Sequence, residues 1–183
     1  MPSGNQHDLA ACLPLPPKLS SAHRQMLVLL ADGLSNKDIA SRLRWTADTV
    51  RACEEPLFAL LGTRTRELVA ARAVAHRLVS AENLTDLPIV RPVVRPSNQG
   101  FLECMVNGLT VEQTASTLQR SSHTVRDIIR RLRDDLCAPN NTKAAAVATL
   151  LGLVSCHQVD RRFPDIPFGE LPDATPSPGC ESC

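Results

Sequence analysis

"GLSNKDIASRLRWTADTVR", residues 33–51, and "GLTVEQTASTLQRSSHTVR", residues 108–126, carry one pattern written twice. Both run Gly-Leu-(Ser/Thr), then Ala-Ser-x-Leu, then Thr-Val-Arg. Sliding the chain against itself by 75 residues extends the match, without a gap, to 19–79 against 94–154. Sixteen of those 61 positions are identical, among them Leu57/Leu132, Leu61/Leu136, Leu78/Leu153 and Val79/Val154. Self-similarity at a fixed period marks one folding unit used more than once. The chain therefore reads as a duplicated domain.

Each copy reads as four short helices. In the first, Ser20 or Ser21 caps a helix carrying Met26, Leu27, Leu29 and Leu30, which stops at Gly33. Glycine tolerates the positive φ of a helix C-cap. Ser35 with Asp38, and Thr110 with Gln113, have the spacing of a capping box and open the second helices. Third helices follow from Thr46 and Ser121. Their inward stripes are Val50, Cys53, Leu57, Leu61 and Val125, Ile128, Leu132, Leu136, in steps of three and four that lay a helix on a core. Cys53 is thus a small hydrophobe of that stripe. The fourth helices, about 65–79 and 142–154, are alanine-rich, and "AAAVATLLGLV" has no charge on any face. A helix apolar all round must be covered, and one small bundle covers only one side of it.

Composition agrees with an all-α chain. Hydrophobic residues make up 43% and aromatics 3%, with no Tyr, so the cores are aliphatic; β-rich folds favour aromatic and β-branched residues. No apolar run has the length of a membrane span, and the N-terminus lacks the pattern of a signal peptide. A cytoplasmic protein is expected. Net charge is only +1, so its distribution matters more. Residues 19–79 hold nine basic against six acidic side chains, and 95–154 hold seven against five. The linker 80–94 and the end 155–183 are net acidic. The linker "SAENLTDLPIVRPVVRP" contains three prolines and cannot be helical throughout. The Pro-rich segments 1–18 and 155–183 lack periodicity and are expected to be flexible tails.

Seven irregularly spaced cysteines do not form a disulfide framework. Cys156, His157, Cys180 and Cys183 are the sharpest metal candidates, yet adjacent residues seldom reach one zinc ion together; incidental thiols explain them better. No cofactor is expected. The five scattered histidines, the absence of a glycine-rich phosphate loop and the lack of a nucleophile–base spacing point away from an enzyme.

A helix, a Gly-containing turn, a short helix and a longer one opening Thr/Ser-x-x-Thr-Val-Arg is the helix-turn-helix arrangement. Its second helix braces the third, whose N-terminal half enters the major groove of DNA. Residues 19–79, through "GLSNKDIA" and "TADTVR", resemble the DNA-binding domain of LuxR-type (GerE-like) transcription regulators, and residues 95–154 resemble the same family. The resemblance implies a four-helix fold with a third, recognition helix and pairing through the fourth. It also places Thr46, Thr49 and Arg51 where DNA contacts occur.

The two third helices differ in character. In the first, Cys53 and Glu54 replace a histidine and an apolar residue of the family pattern. Pro56 removes a backbone hydrogen bond and clashes with the Ala52 carbonyl, so either a bend or a new turn is expected there. Glu54 and Glu55 are expected to repel a phosphate backbone. Arg42, Arg44, Arg64 and Arg66 flank this helix and can hold phosphates without reading bases. The second offers Ser121, Ser122, His123, Thr124 and Arg126, followed by Arg130, Arg131 and Arg133. Each phosphate neutralised by such residues adds salt-sensitive affinity. The second copy is therefore expected to carry most contacts to double-stranded DNA, with the first docking weakly or turned to protein contact.

Two pairings are open to the alanine-rich fourth helices. A homodimer pairs them between chains, whereas an intramolecular pseudo-dimer pairs them within one, since the linker spans ~50 Å when extended. Two rival functions are a sigma-like regulator that binds RNA polymerase and a helical protein-interaction adaptor.

Overall fold

The computed structural model describes residues 18–163 and 165–170. Nine α-helices are described: α1 Ser21–Ala31, α2 Asn36–Leu43, α3 Ala47–Leu60, α4 Arg66–Ala75, α5 Pro96–Val106, α6 Val111–Leu118, α7 Ser122–Asp135, α8 Asn141–Leu150 and α9 Cys156–Val159. The described residues contain no strand, only an isolated bridge between Ser155 and Pro167.

Short polar side chains start nearly every helix. Ser20, Ser35, Thr46, Thr65, Thr110, Ser121, Asn140 and Ser155 each accept a hydrogen bond from the backbone N–H three residues on. These caps satisfy N–H groups that no helical carbonyl reaches. Proline at the first position of α5 does the same job by having no N–H to satisfy.

Every helix of residues 21–75 has a counterpart of identical length 75 residues later. The left-handed backbone positions also recur at that offset: Gly33 (φ 85°) with Gly108 (φ 71°), and Arg44 (φ 56°) with Gln119 (φ 52°). Even the short turns that follow correspond. Ser80 starts a 3-10 turn, Ala81–Asn83, and Ser155 starts α9, both with reciprocal capping boxes. Leu84 and Val159, again 75 apart, are both buried. The correspondence between the halves thus continues five residues past 79 and 154.

That extension changes the reading of the C-terminal segment. A flexible tail was expected from residue 155, yet Cys156, Val159, Asp160 and Phe163 are buried against the rest of the protein. The segment lacks helical periodicity because single residues anchor it. His76 packs edge-on to Phe163 at 4.9 Å, and Arg77 lies over the Phe168 ring. The expected tail 1–18 lies almost wholly outside the described residues, as do 171–183.

The third helices match in length, fourteen residues each, although only α3 contains a proline. No fresh turn divides α3; the helix continues through Pro56 to Leu60. The Ala52 carbonyl that loses its partner is on an exposed residue, where water can replace the missing donor. Val50, Leu57 and Leu61 are fully buried and Cys53 is half-buried. Along α7 and its C-cap the deepest positions are Val125, Ile129, Leu132 and Leu136, so the stripe passes through Ile129 more than through the expected Ile128.

One core unites both halves. The α4–α8 contact is the most extensive between any two helices. Residues 142–149 are all buried, as are Val69, Ala70, Ala71, Ala73, Val74 and Ala75. Alanine allows two backbones to approach closely, and each helix supplies the cover that the other's second face needs. The apolar α8 is therefore covered from within the chain.

Candidate nucleic-acid interface

Both third helices begin with the same local geometry. The Thr46 hydroxyl accepts the Thr49 N–H at 3.1 Å and lies 2.9 Å from the Thr49 hydroxyl. Ser121 treats Thr124 identically, at 3.1 and 2.9 Å. These bonds fix the first turn and leave small hydroxylated side chains at its tip. Thr46, Thr49, Arg51, Ser121, His123, Thr124, Arg126, Arg130 and Arg131 are exposed, while Ser122 is half-buried.

Electrostatics separate the two tips. The first turn of α3 contains Asp48, which lies 3.5 Å from Arg51, whereas the first turn of α7 contains no acid and carries His123. The positive end of a helix dipole attracts phosphate. Asp48 offsets that attraction in α3, and nothing in the α7 turn does. Further along, Glu55 and Pro56 of α3 correspond to Arg130 and Arg131 of α7 at the 75-residue offset.

Two arginines of α7 pair with acids that keep contact with solvent. Arg126 lies 3.6 Å from Glu112, and Asp127 serves both Arg130 (2.9 Å) and His123 (3.3 Å). Exposed ion pairs contribute little, so these guanidinium groups can exchange them for phosphate at small cost. Arg133 is set apart. It is half-buried, its Nε has no partner, and it lines a cleft of about 970 Å³ between the halves together with Arg42 and Asp38. Arg44, exposed in the left-handed turn after α2, stands immediately before α3.

Glu54 does not face a phosphate backbone as expected. Its carboxylate accepts from Arg66 at 2.9 Å and from the Asn36 amide at 2.9 Å. Arg66 also donates to the Leu34 carbonyl at 2.9 Å and to the Asn36 side-chain oxygen. The knot ties the starts of α2 and α4 to the middle of α3, and it withdraws Arg66 from the set that can hold phosphate. The repeat carried the signal for this: position 54 aligns with Ile129, a core residue, so a charge there needs a buried partner.

A second polar knot joins the C-terminal segment to α4. His76 and Asp160 are buried, with His76 Nε2 at 3.2 Å from an Asp160 oxygen that also accepts from Arg162 at 2.6 Å. Burial alone would raise the Asp160 carboxyl; hydrogen bonds from the Arg162 side chain and backbone and from His76 hold it well below the usual carboxylate range. Burial also holds the His76 imidazole below its ordinary range, against the pull of Asp160. His76 is therefore neutral near pH 7, donates through Nε2–H and leaves Nδ1 as a bare lone pair, which has no partner. Arg72 completes the joint by donating to the Val159, Leu61 and Gly62 carbonyls. Nothing in the sequence pattern flagged His76 or Asp160.

Of the four metal candidates, only Cys156 and His157 lie within the described residues. Cys156 is fully buried, its thiol pushed up to about 11 by burial, while the exposed His157 meets the Phe163 carbonyl through Nδ1. Cys180 and Cys183 lie outside the described residues, and among the described residues no group of His, Cys, Asp or Glu is arranged to hold a metal ion. No described helix is long and apolar enough to cross a membrane.

No curated protein and no solved structure matches the chain. Residues 17–73, in the first half of the chain, match the family model described as GerE, bacterial regulatory proteins, luxR family.

Proposed function

We propose that the chain is a transcription regulator with two LuxR-type helix-turn-helix domains, 19–79 and 95–154, in which α7 makes most contacts to double-stranded DNA. The observation that carries this reading is the leading face of α7. Ser121, His123, Thr124, Arg126, Arg130 and Arg131 are exposed there, with no acid in the first turn. Arginine pairs with guanine edges or phosphates, and short hydroxyls reach base edges and backbone alike. Arg42 and Arg44 flank the α3 tip and supply phosphate contacts, while Thr46, Thr49 and Arg51 form a weaker docking surface.

A protein-directed role for the first half is the second reading. Leu60 is 45% exposed at the end of α3, and Glu55 is exposed on the same helix. A helix whose exposed surface holds a leucine and an acid suits a protein partner better than a phosphate backbone.

The test is a pair of double variants titrated against a bound DNA element. Arg126→Ala with Arg131→Ala is expected to weaken binding by roughly 100-fold or more, at 1–3 kcal/mol per base-directed contact. Thr49→Ala with Arg51→Ala is expected to weaken it by less than about 10-fold, the scale of phosphate docking. Equal losses would remove the asymmetry from the proposal.

A further inference from the structure

Contacts between the halves are reciprocal. Asn140, the cap of α8, donates to the Gly33 carbonyl at 2.6 Å, and a Cβ built on Gly33 would meet the Asn140 and Lys143 side chains at 3.0 Å. Thr65, the cap of α4, covers Gly108, where an added Cβ would come within 2.6 Å of the threonine Cβ. Thr65 and Asn140 are 75 residues apart, and so are Gly33 and Gly108. Residue i of one half thus meets residue j of the other, while the equivalent of j meets the equivalent of i. The helices repeat this: α4 packs on α5 as α8 packs on α1. Mutual exchange of the same patches is the mark of a two-fold interface.

From this relationship we infer that a single chain occupies a complete two-part DNA element, whose half-sites are inverted relative to each other and unlike in sequence. The inference rests on the DNA-binding reading above. A two-fold relation between halves carries α3 onto α7 with reversed direction along a duplex, which makes the half-sites inverted. Their surfaces then make them unlike. Ala47, Asp48, Ala52 and Glu55 stand in α3 where Ser122, His123, Asp127 and Arg130 stand in α7. A second chain is not needed and has no free fourth helix to pair with, because α4 and α8 bury each other. A homodimer through those helices would require the core to open.

The experiment uses the full chain. Duplexes are selected from a random library at low salt, then titrated at concentrations well above the dissociation constant. The mass of the free protein and of the complex is measured in solution. The expected result is a monomer that binds one duplex at a ratio of one to one. The selected element should hold two different motifs on opposite strands, about one helical turn apart. Scrambling the motif read by α7 should weaken binding roughly 100-fold, and scrambling the other roughly 10-fold.

Two chains per duplex, one chain bridging two duplexes, a lone motif, or two motifs in the same orientation would each overturn the inference while leaving DNA binding intact. Failure to bind any duplex at low salt would instead overturn the DNA-binding reading itself, and the inference with it.

Discussion

The Glu54 carboxylate lies 2.9 Å from the Arg66 guanidinium, at a position that Ile129 fills in the second half. Each residue follows a fully buried valine, Val50 or Val125, by one helical turn and turns toward the same inter-helix space. An apolar side chain fills that space in the second half, whereas the first half closes it with a charge, its counter-charge and the Asn36 amide. Glu54→Ala is expected to cost about 1–3 kcal/mol by stranding the donors of Asn36 and Arg66. A double-mutant cycle over Glu54 and Arg66, read by urea unfolding, should give a coupling of about 1 kcal/mol or more. Strict additivity would mean the pair contributes nothing together.

The joint at Asp160 makes stability depend on pH. A carboxyl held below its ordinary value stabilises the fold above about pH 4, and that stabilisation is lost as pH falls further. The depressed His76 acts in the same direction in a higher window. The unfolded chain takes up its proton first, near pH 6.5, so stability drops as pH falls from there towards the folded value. Melting temperatures recorded from pH 3 to 8 should therefore rise with pH through both windows. Asp160→Asn should flatten the acid limb, and His76→Gln the upper one.

The seam glycines are expected to resist substitution. At Gly108 (φ 71°) a side chain is strained by the backbone and also meets Thr65. Left-handed strain in a non-glycine residue costs about 1–3 kcal/mol, and the displacement of Thr65 adds to it. Gly108→Ala should thus lower the urea midpoint more than Gly33→Ala, whose added Cβ meets its nearest atoms at 3.0 Å. The reverse order would contradict the tighter seat of Thr65.

Lys143 is 2% exposed and lies 3.0 Å from Asp32, and both bond the Thr85 hydroxyl. Removing one member of a buried ion pair strands the other charge and costs about 3–5 kcal/mol. Lys143→Ala should fall in that range. The double replacement Lys143→Met with Asp32→Leu should cost less than Lys143→Ala alone, because it leaves no unpaired ion. Thermal unfolding of the two variants beside the unaltered chain decides.

Salt dependence separates phosphate contacts from structural arginines. Affinity for the selected duplex should fall linearly on logarithmic axes as salt rises, and Arg42→Ala with Arg44→Ala should reduce the slope by about 1.8, at 0.9 per phosphate. Arg66→Ala should leave the slope unchanged, because its guanidinium is occupied by Glu54, Asn36 and the Leu34 carbonyl.

The helices, their caps and the repeat were legible in the residues alone, since each depends on neighbours three or four positions away and on one pattern used twice. So were the exposed tips at Thr46, Thr49, Ser121 and Thr124. What lay beyond the sequence was every pairing across long separation. The partner of Glu54 is twelve residues away and that of His76 eighty-four. Neither leaves a periodic trace, because a buried polar group answers to whatever the fold brings beside it. The fate of the bare α8 was likewise undetermined, as an alanine-rich surface is equally suited to another chain or to its own counterpart. Tertiary structure decided it: the linker brings α4 within reach, and burying the two faces against each other removes both from water inside one chain.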